Sequence, residues 1–116
     1  MFTINYIESD PNWRSLVTSN LSEQGIVVQS ETEASAASLV LLAADEPDFE
    51  QRVERVRRIR EQFPTVPIAV ISKFFSVQFI YEIAEIADAV FVKQHVGSQE
   101  LSWENFAAQL QRVTRT

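Results

Sequence analysis

The stretch Leu39-Val40-Leu41-Leu42-Ala43-Ala44-Asp45-Glu46-Pro47-Asp48 carries the first decision about the fold. Its opening four residues are an unbroken apolar run, as expected for a central parallel strand covered on both faces. Pro47 then opens a helix. The apolar stripe of that helix is Phe49, Val53, Val56, Ile59 and Phe63, and Pro64 stops it. Pro67-Ile68-Ala69-Val70-Ile71 follows as another buried strand. A helix between two such strands is a β-α-β unit, which implies a parallel sheet with helices on its faces.

The same alternation extends outward in both directions. Towards the N-terminus, Thr3-Ile4-Asn5-Tyr6-Ile7 is a β-branched and aromatic run that reads as a strand. Asp10 can cap a following helix and Pro11 suits its first position. Trp13, Leu16, Val17 and Leu21 recur at helical spacing until Gly25 stops the helix, and Ile26-Val27-Val28 is a second strand. Towards the C-terminus, the segment from Ser76 to Ile86 reads as a helix and Ala89-Val90-Phe91-Val92 as the last strand. A final helix carries Leu101, Phe106, Leu110 and Val113. Ten residues separate Val28 from Leu39, too few for a full crossover helix, so no helix longer than about two turns is expected there.

Composition removes several classes of function. Ten Lys and Arg against sixteen Asp and Glu give a net charge of −6, so nucleic acid is not expected as a partner. The absence of Cys excludes disulfides, thiolate catalysis and Cys-based zinc sites, and fits a cytoplasmic protein. Met1 is followed by a strand-like segment with an early Glu8, so no secretory signal is expected. No apolar run approaches the roughly 20 residues that span a bilayer, so no membrane partner is expected. With Gly25 and Gly97 as the only glycines there is no glycine-rich phosphate loop, and no cofactor is expected. The 116 residues suit one domain.

Four motifs in order give the chain a resemblance to the receiver domains of two-component response regulators. Ile7-Glu8-Ser9-Asp10-Pro11 is similar to the family's first strand end, where an acidic pair is followed by Pro. Leu39 to Leu42 resembles the strand that ends on the phosphorylated Asp. Pro67 to Ser72 resembles the fourth strand with its terminal Thr or Ser. Ala87-Asp88 and Val90-Phe91-Val92-Lys93 resemble the fifth strand with its Lys. The resemblance implies a flavodoxin-like α/β/α sandwich with five parallel strands in the order 2-1-3-4-5. It also implies a phosphorylation site at the carboxyl ends of the strands. In the family an Asp attacks a phosphoryl donor while magnesium, held by that Asp and the acidic pair, neutralises charge on the phosphoryl oxygens.

Several members of that apparatus are missing. Ala43 stands at the acceptor position, and Pro47-Asp48, four and five residues further on, match a pair the family often has there. Asp45 falls two residues past the acceptor position, in the loop. The acidic pair is reduced to Glu8-Ser9, the Pro after the Lys is Gln94, and the aromatic switch residue is Val90. A methyl group neither attacks phosphorus nor binds a metal, so no metal site and no enzymatic activity are expected. The reading is a pseudo-receiver whose vestigial pocket comprises Glu8, Ser9, Ala43, Ser72 and Lys93. Lys93, without its usual carboxylate, is expected to pair with Glu8 or Asp10. The alternative is a small-ligand sensor using that pocket, since ligands favour the carboxyl ends of parallel strands. A catalytic flavodoxin-like protein would need a phosphate loop after the first strand, which is absent.

Other conspicuous residues have plain structural readings. Asp10 is a helix cap, His95 a solvated loop residue, and Trp13 and Trp103 pack against the sheet. Arg52, Arg55, Arg57, Arg58 and Arg60, interleaved with Glu50, Glu54 and Glu61, read as a solvated, salt-bridged face. The helix from Ser76 is different. Phe79, Ile80, Ile83 and Ile86 suffice to cover the sheet, and Phe74, Val77, Tyr81 and Ala84 form a second stripe. A surface helix needs one apolar stripe. The second marks a candidate interface with a protein partner or with another copy of the chain.

Overall fold

In the computed structural model, which describes residues 2–29 and 37–114, five strands form one parallel sheet. They are β1 (Thr3–Ile7), β2 (Val27–Gln29), β3 (Leu39–Ala43), β4 (Ile68–Ser72) and β5 (Ala89–Val92), in the order β2-β1-β3-β4-β5. The expected flavodoxin-like fold and its strand order are therefore observed. Among the described residues there are four helices, α1 (Pro11–Glu23), α2 (Phe49–Gln62), α3 (Val77–Ile83) and, after the last strand, α4 (Trp103–Val113).

Strand side chains alternate between two cores. Ile4, Tyr6, Leu39, Leu41, Ala69 and Ile71 face α1 and α4. Ile7, Val40, Leu42, Ile68 and Val70 face the opposite way, towards α2 and α3. β3 and β4 are buried at every residue, as their unbroken apolar sequences require.

Local chemistry sets the helix ends. Asp10 caps α1, its Oδ1 accepting from the Asn12 and Trp13 amides at 2.9 and 3.3 Å, with Pro11 in the first turn. At the other end Gly25, at φ 81°, lets the Gly25 and Ile26 amides fold back onto the Ser22 and Leu21 carbonyls. Asp48, rather than Pro47, caps α2 by accepting from the Gln51 amide at 3.0 Å. Gly97, also at φ 81°, lies under Trp103. A Cβ there would stand 2.7 Å from the indole Nε1, so only Gly lets α4 approach this closely.

Several boundaries differ from the sequence reading. Leu101, expected on the final helix, precedes the Ser102 cap of α4 and bridges Val96 instead, and β4 starts at Ile68, after Pro67. α3 ends at Ile83 instead of running to Ile86. Ala84 and Ile86 donate back to Tyr81 and Ile83, tightening the chain into a turn that delivers Asp88 to the Ile68 carbonyl and starts β5. β2 begins at Val27, one residue later than expected, with Ile26 buried just before it. The expectation about the Val28–Leu39 connection falls on residues 30–36, outside the described residues.

The register places the functional edge. Ile7 pairs with Leu42, Ala43 with Ile71, and Ser72 with Val92. The residues that follow these strand ends, Glu8, Asp45, Lys73 and Lys93, are thereby gathered at one end of the sheet.

Candidate functional site

Lys93 follows β5 immediately, and its side chain is 1% exposed. Burial of an ammonium is costly unless it is paired and hydrogen-bonded. Lys93 meets that requirement twice. Its Nζ lies 2.8 Å from Glu8 Oε1 and 2.5 Å from Asp45 Oδ2. The ring of Trp13 lies beside it, 4.9 Å from Nζ to the centroid. The expected partner Glu8 is found, Asp10 is occupied as the α1 cap, and Asp45 is a partner the sequence reading left in the loop.

Both carboxylates have further partners. The Tyr6 hydroxyl donates to Glu8 Oε1 at 2.7 Å, and the Asp10 amide donates to Glu8 Oε2 at 3.2 Å. Asp45 Oδ1 accepts from the Lys73 amide at 2.8 Å while Oδ2 faces Lys93. Burial of the phenol, reinforced by its hydrogen bond to the Glu8 carboxylate, raises the Tyr6 pKa far above its ordinary value. Arg14 closes the end of β1, donating to the Glu8 carbonyl at 2.9 Å from Nη2.

The remaining pocket residues behave differently from one another. Ala43 is buried at the end of β3, and its carbonyl accepts from Arg55 Nε at 3.0 Å. Arg55 also faces Glu46 at 3.5 Å. Ser72 is buried, with its hydroxyl donating to the Ala44 carbonyl at 2.6 Å and accepting from the Phe74 amide at 3.1 Å. Ser9 is exposed on the rim. An open cleft of about 580 Å³ lies above Ala43, bordered by Glu8, Asp10, Asp45, Glu46, Arg55 and Lys73. The structure thus joins Glu8 and Lys93 directly, lines the cleft with Ala43, and turns the Ser72 hydroxyl onto backbone.

The residues present do not fit a magnesium ion. A hard divalent cation needs several free oxygen ligands. Here Glu8 and Asp45 are already bound to Lys93, Tyr6 and backbone amides, and the acceptor position offers a methyl group. No group of three or more metal-ligating side chains converges among the described residues.

The arginine-rich helix is solvated on one side only. Arg57 and Arg58 pair with Glu54 in solvent, as expected. Arg52 is buried, donates to the Glu46 and Pro47 carbonyls, and stacks against Phe49, Phe74 and Phe79 at 5.8, 4.9 and 5.4 Å. Arg60 bonds the Ile86, Phe63 and Val66 carbonyls and the Asp88 carboxylate. These arginines bind loop carbonyls that helices and strands leave without partners.

On the outer face of α3 the second apolar stripe stands in solvent. Val77 is 74% and Tyr81 81% exposed, while Phe79 and Ile83 are buried beneath them. Ala84 is exposed as well. Phe74 is half covered by Arg52, and Phe75, which the stripe pattern does not include, is 62% exposed.

No family model matches the chain, and no curated protein matches it in sequence. Solved structures do. A response regulator from Thermotoga maritima superposes with a TM-score of 0.75 at 18% identity, covering 100% of this chain and 99% of its own. A chemotaxis protein of Vibrio cholerae does so at 0.75 and 18%, covering 97% and 98%. A two-component response regulator from Clostridium difficile does so at 0.72 and 19%, covering 99% and 97%. The chain therefore shares, over its whole length, the fold of response-regulator receiver domains.

Proposed function

We propose that this chain is a non-enzymatic, cytoplasmic pseudo-receiver. It acts as a protein–protein interaction module in signal transduction or regulation, and its state does not depend on phosphorylation. The observation that carries the reading is Ala43 at the carboxyl end of β3, with Asp45 tied to Lys93 and the Lys73 amide. No free carboxylate faces the cleft at the acceptor position, and the cation that would meet a phosphoryl group is already neutralised. The ligand-sensor alternative has less support, because the polar groups of Glu8, Asp45 and Ser72 are engaged within the chain. A ligand would have to displace ion pairs that are already made. The interaction surface in this reading is the α3 face with Val77, Tyr81 and Ala84, joined by Phe74 at its edge.

One experiment tests both halves. Incubation with acetyl phosphate and magnesium is expected to leave the intact mass unchanged; a stoichiometric phosphoryl adduct on Asp45 or a neighbour would refute the pseudo-receiver reading. A photo-crosslinking residue at position 81 is expected to capture protein in the native cell, while the same residue at Ser19 on α1 captures none. Absence of adducts at 81 would remove α3 as the interface.

A further inference from the structure

The face around Tyr81 has a sign as well as an apolar stripe. Glu82 on α3 and Glu85 in the turn that ends it both follow Tyr81 and are exposed, and α3 contains no basic residue. A depression of about 410 Å³ is lined by Tyr81, Glu82, Ala84 and Glu85. Between α3 and α2 a longer groove of about 730 Å³ carries Asp48, Glu50, Glu54 and Glu82. Arg57, the one cation lining it, is 3.4 Å from Glu54 and so already paired. Tyr81 thus stands beside two carboxylates, Glu82 and Glu85, for which no ion pair is formed among the described residues, whereas Glu54 in the groove is paired with Arg57 and Arg58.

We infer that the α3 face docks a basic amphipathic helix of another protein. Its apolar side would lie on Val77 and Tyr81, and its Lys or Arg residues would lie against Glu82, Glu85 and the α2–α3 groove. The inference rests on the interaction reading above and adds the chemistry of the partner. An amphipathic helix laid in a groove is a recurring recognition mode, with apolar anchors for affinity and charge for register. An exposed aromatic ring beside two carboxylates is also a good seat for a guanidinium or ammonium group.

The charge argument disfavours a second copy of this chain as occupant. A two-fold contact centred on Tyr81 would bring the same patch of each copy together, and with it the Glu82 and Glu85 carboxylates of both copies into one interface. Like charges brought together at an interface select against that pairing. The same sign disfavours anionic lipid and nucleic acid.

The test uses the full chain with two fluorescent probes, a helical Leu–Lys amphipathic peptide and its Leu–Glu counterpart, read by anisotropy at low and moderate salt. Wild type should bind the Leu–Lys peptide roughly tenfold or more tightly than the Leu–Glu peptide, and the gap should narrow as salt rises. Glu82→Lys with Glu85→Lys should invert the preference, and Tyr81→Ser should weaken both peptides, with circular dichroism confirming the fold. Equal binding of both probes by wild type, or a preference that survives the double charge reversal, overturns the inference. So does sedimentation of wild type as a dimer that Tyr81→Ser dissociates, although that result would leave α3 as the interface. If Tyr81→Ser changes neither peptide's binding and wild type is monomeric, the interface reading falls together with the partner.

Discussion

At the carboxyl edge of the sheet Lys93, Glu8 and Tyr6 are buried, and with the partly exposed Asp45 they hold one another. On the outer face of α3 Val77 and Tyr81 project into solvent with no covering element among the described residues. The first region is made of groups that favour water, yet Glu8 and Lys93 are closed off from it. The second is made of groups that avoid water, yet it is open. In a receiver that works by phosphorylation the edge is where chemistry enters and a helix face is where the result is read. Here Lys93 has turned inward, meeting Glu8 and Asp45 of its own chain. Surface left without an internal partner is what a protein has to offer others. By that criterion α3 is, in the proposed function, the face that meets a partner, and the Lys93 cluster has a structural role.

The largest test of the contrast removes the centre of the closed region. Lys93→Met should destabilise the fold by about 3–5 kcal/mol, because Glu8 and Asp45 would be left as neighbouring carboxylates without their cation. Urea denaturation gives the number directly, from the shift in midpoint at constant slope. A loss under about 1 kcal/mol, the range of an exposed ion pair, would mean that the edge is solvated and open to ligands after all.

Next in size is Tyr6→Phe, which removes the hydroxyl bonded to Glu8 while Lys93 stays in place. A hydrogen bond to a charged group contributes about 1.5–3 kcal/mol at neutral pH. The sign of its pH dependence follows from the raised Tyr6 pKa. Unfolded chains lose the phenol proton near the ordinary value of about 10 and the folded chain does not. The stabilisation is therefore fully present below that pH and is lost progressively as pH rises above it. Wild type should lose stability across the alkaline range more steeply than Tyr6→Phe, which has no such group at position 6. Parallel alkaline slopes in urea midpoints for the two proteins would show that the phenol is not bound as the structure has it.

Most of the fold was legible because parallel strands buried on both faces write themselves as unbroken apolar runs, and Leu39–Leu42 and Ile68–Ile71 are such runs. Lys93 and Glu8 were legible because each directly follows a strand whose end the register fixes. Asp45 was not. Its position two residues past β3 placed it outside the pocket in linear terms, but the Lys73 amide and Lys93 hold its carboxylate over the strand end. Tyr6 read as a plain strand aromatic, since nothing in a strand pattern says where a hydroxyl ends. Arg52 and Arg60 carried a signal that charge alone concealed. Arg52 lies three residues after Phe49 and four before Val56, and Arg60 lies four after Val56 and three before Phe63, so both sit on the apolar stripe. An arginine at such a spacing packs its stem inward and spends its guanidinium on carbonyls.

The smallest expected effect belongs to the open region, and it is informative because it is small. Val77→Ser and Tyr81→Ser each remove an apolar side chain that the folded monomer barely covers. Neither side chain has contacts in the core; those belong to Phe79 and Ile83, one helical turn face away. Truncation in a core costs several kcal/mol because it loses burial and leaves a cavity, and neither term applies to a side chain already in water. Each substitution should therefore change folding stability by no more than about 0.5 kcal/mol. Serine has about the same helix propensity as tyrosine and valine, so propensity does not hide the result. The measurement is again the urea midpoint, taken beside Phe79→Ser as the buried control, which should fall by several kcal/mol. Should Tyr81→Ser destabilise the monomer as much as Phe79→Ser does, then Tyr81 is a core residue, the two regions are not opposites, and the α3 face offers nothing for a partner to cover.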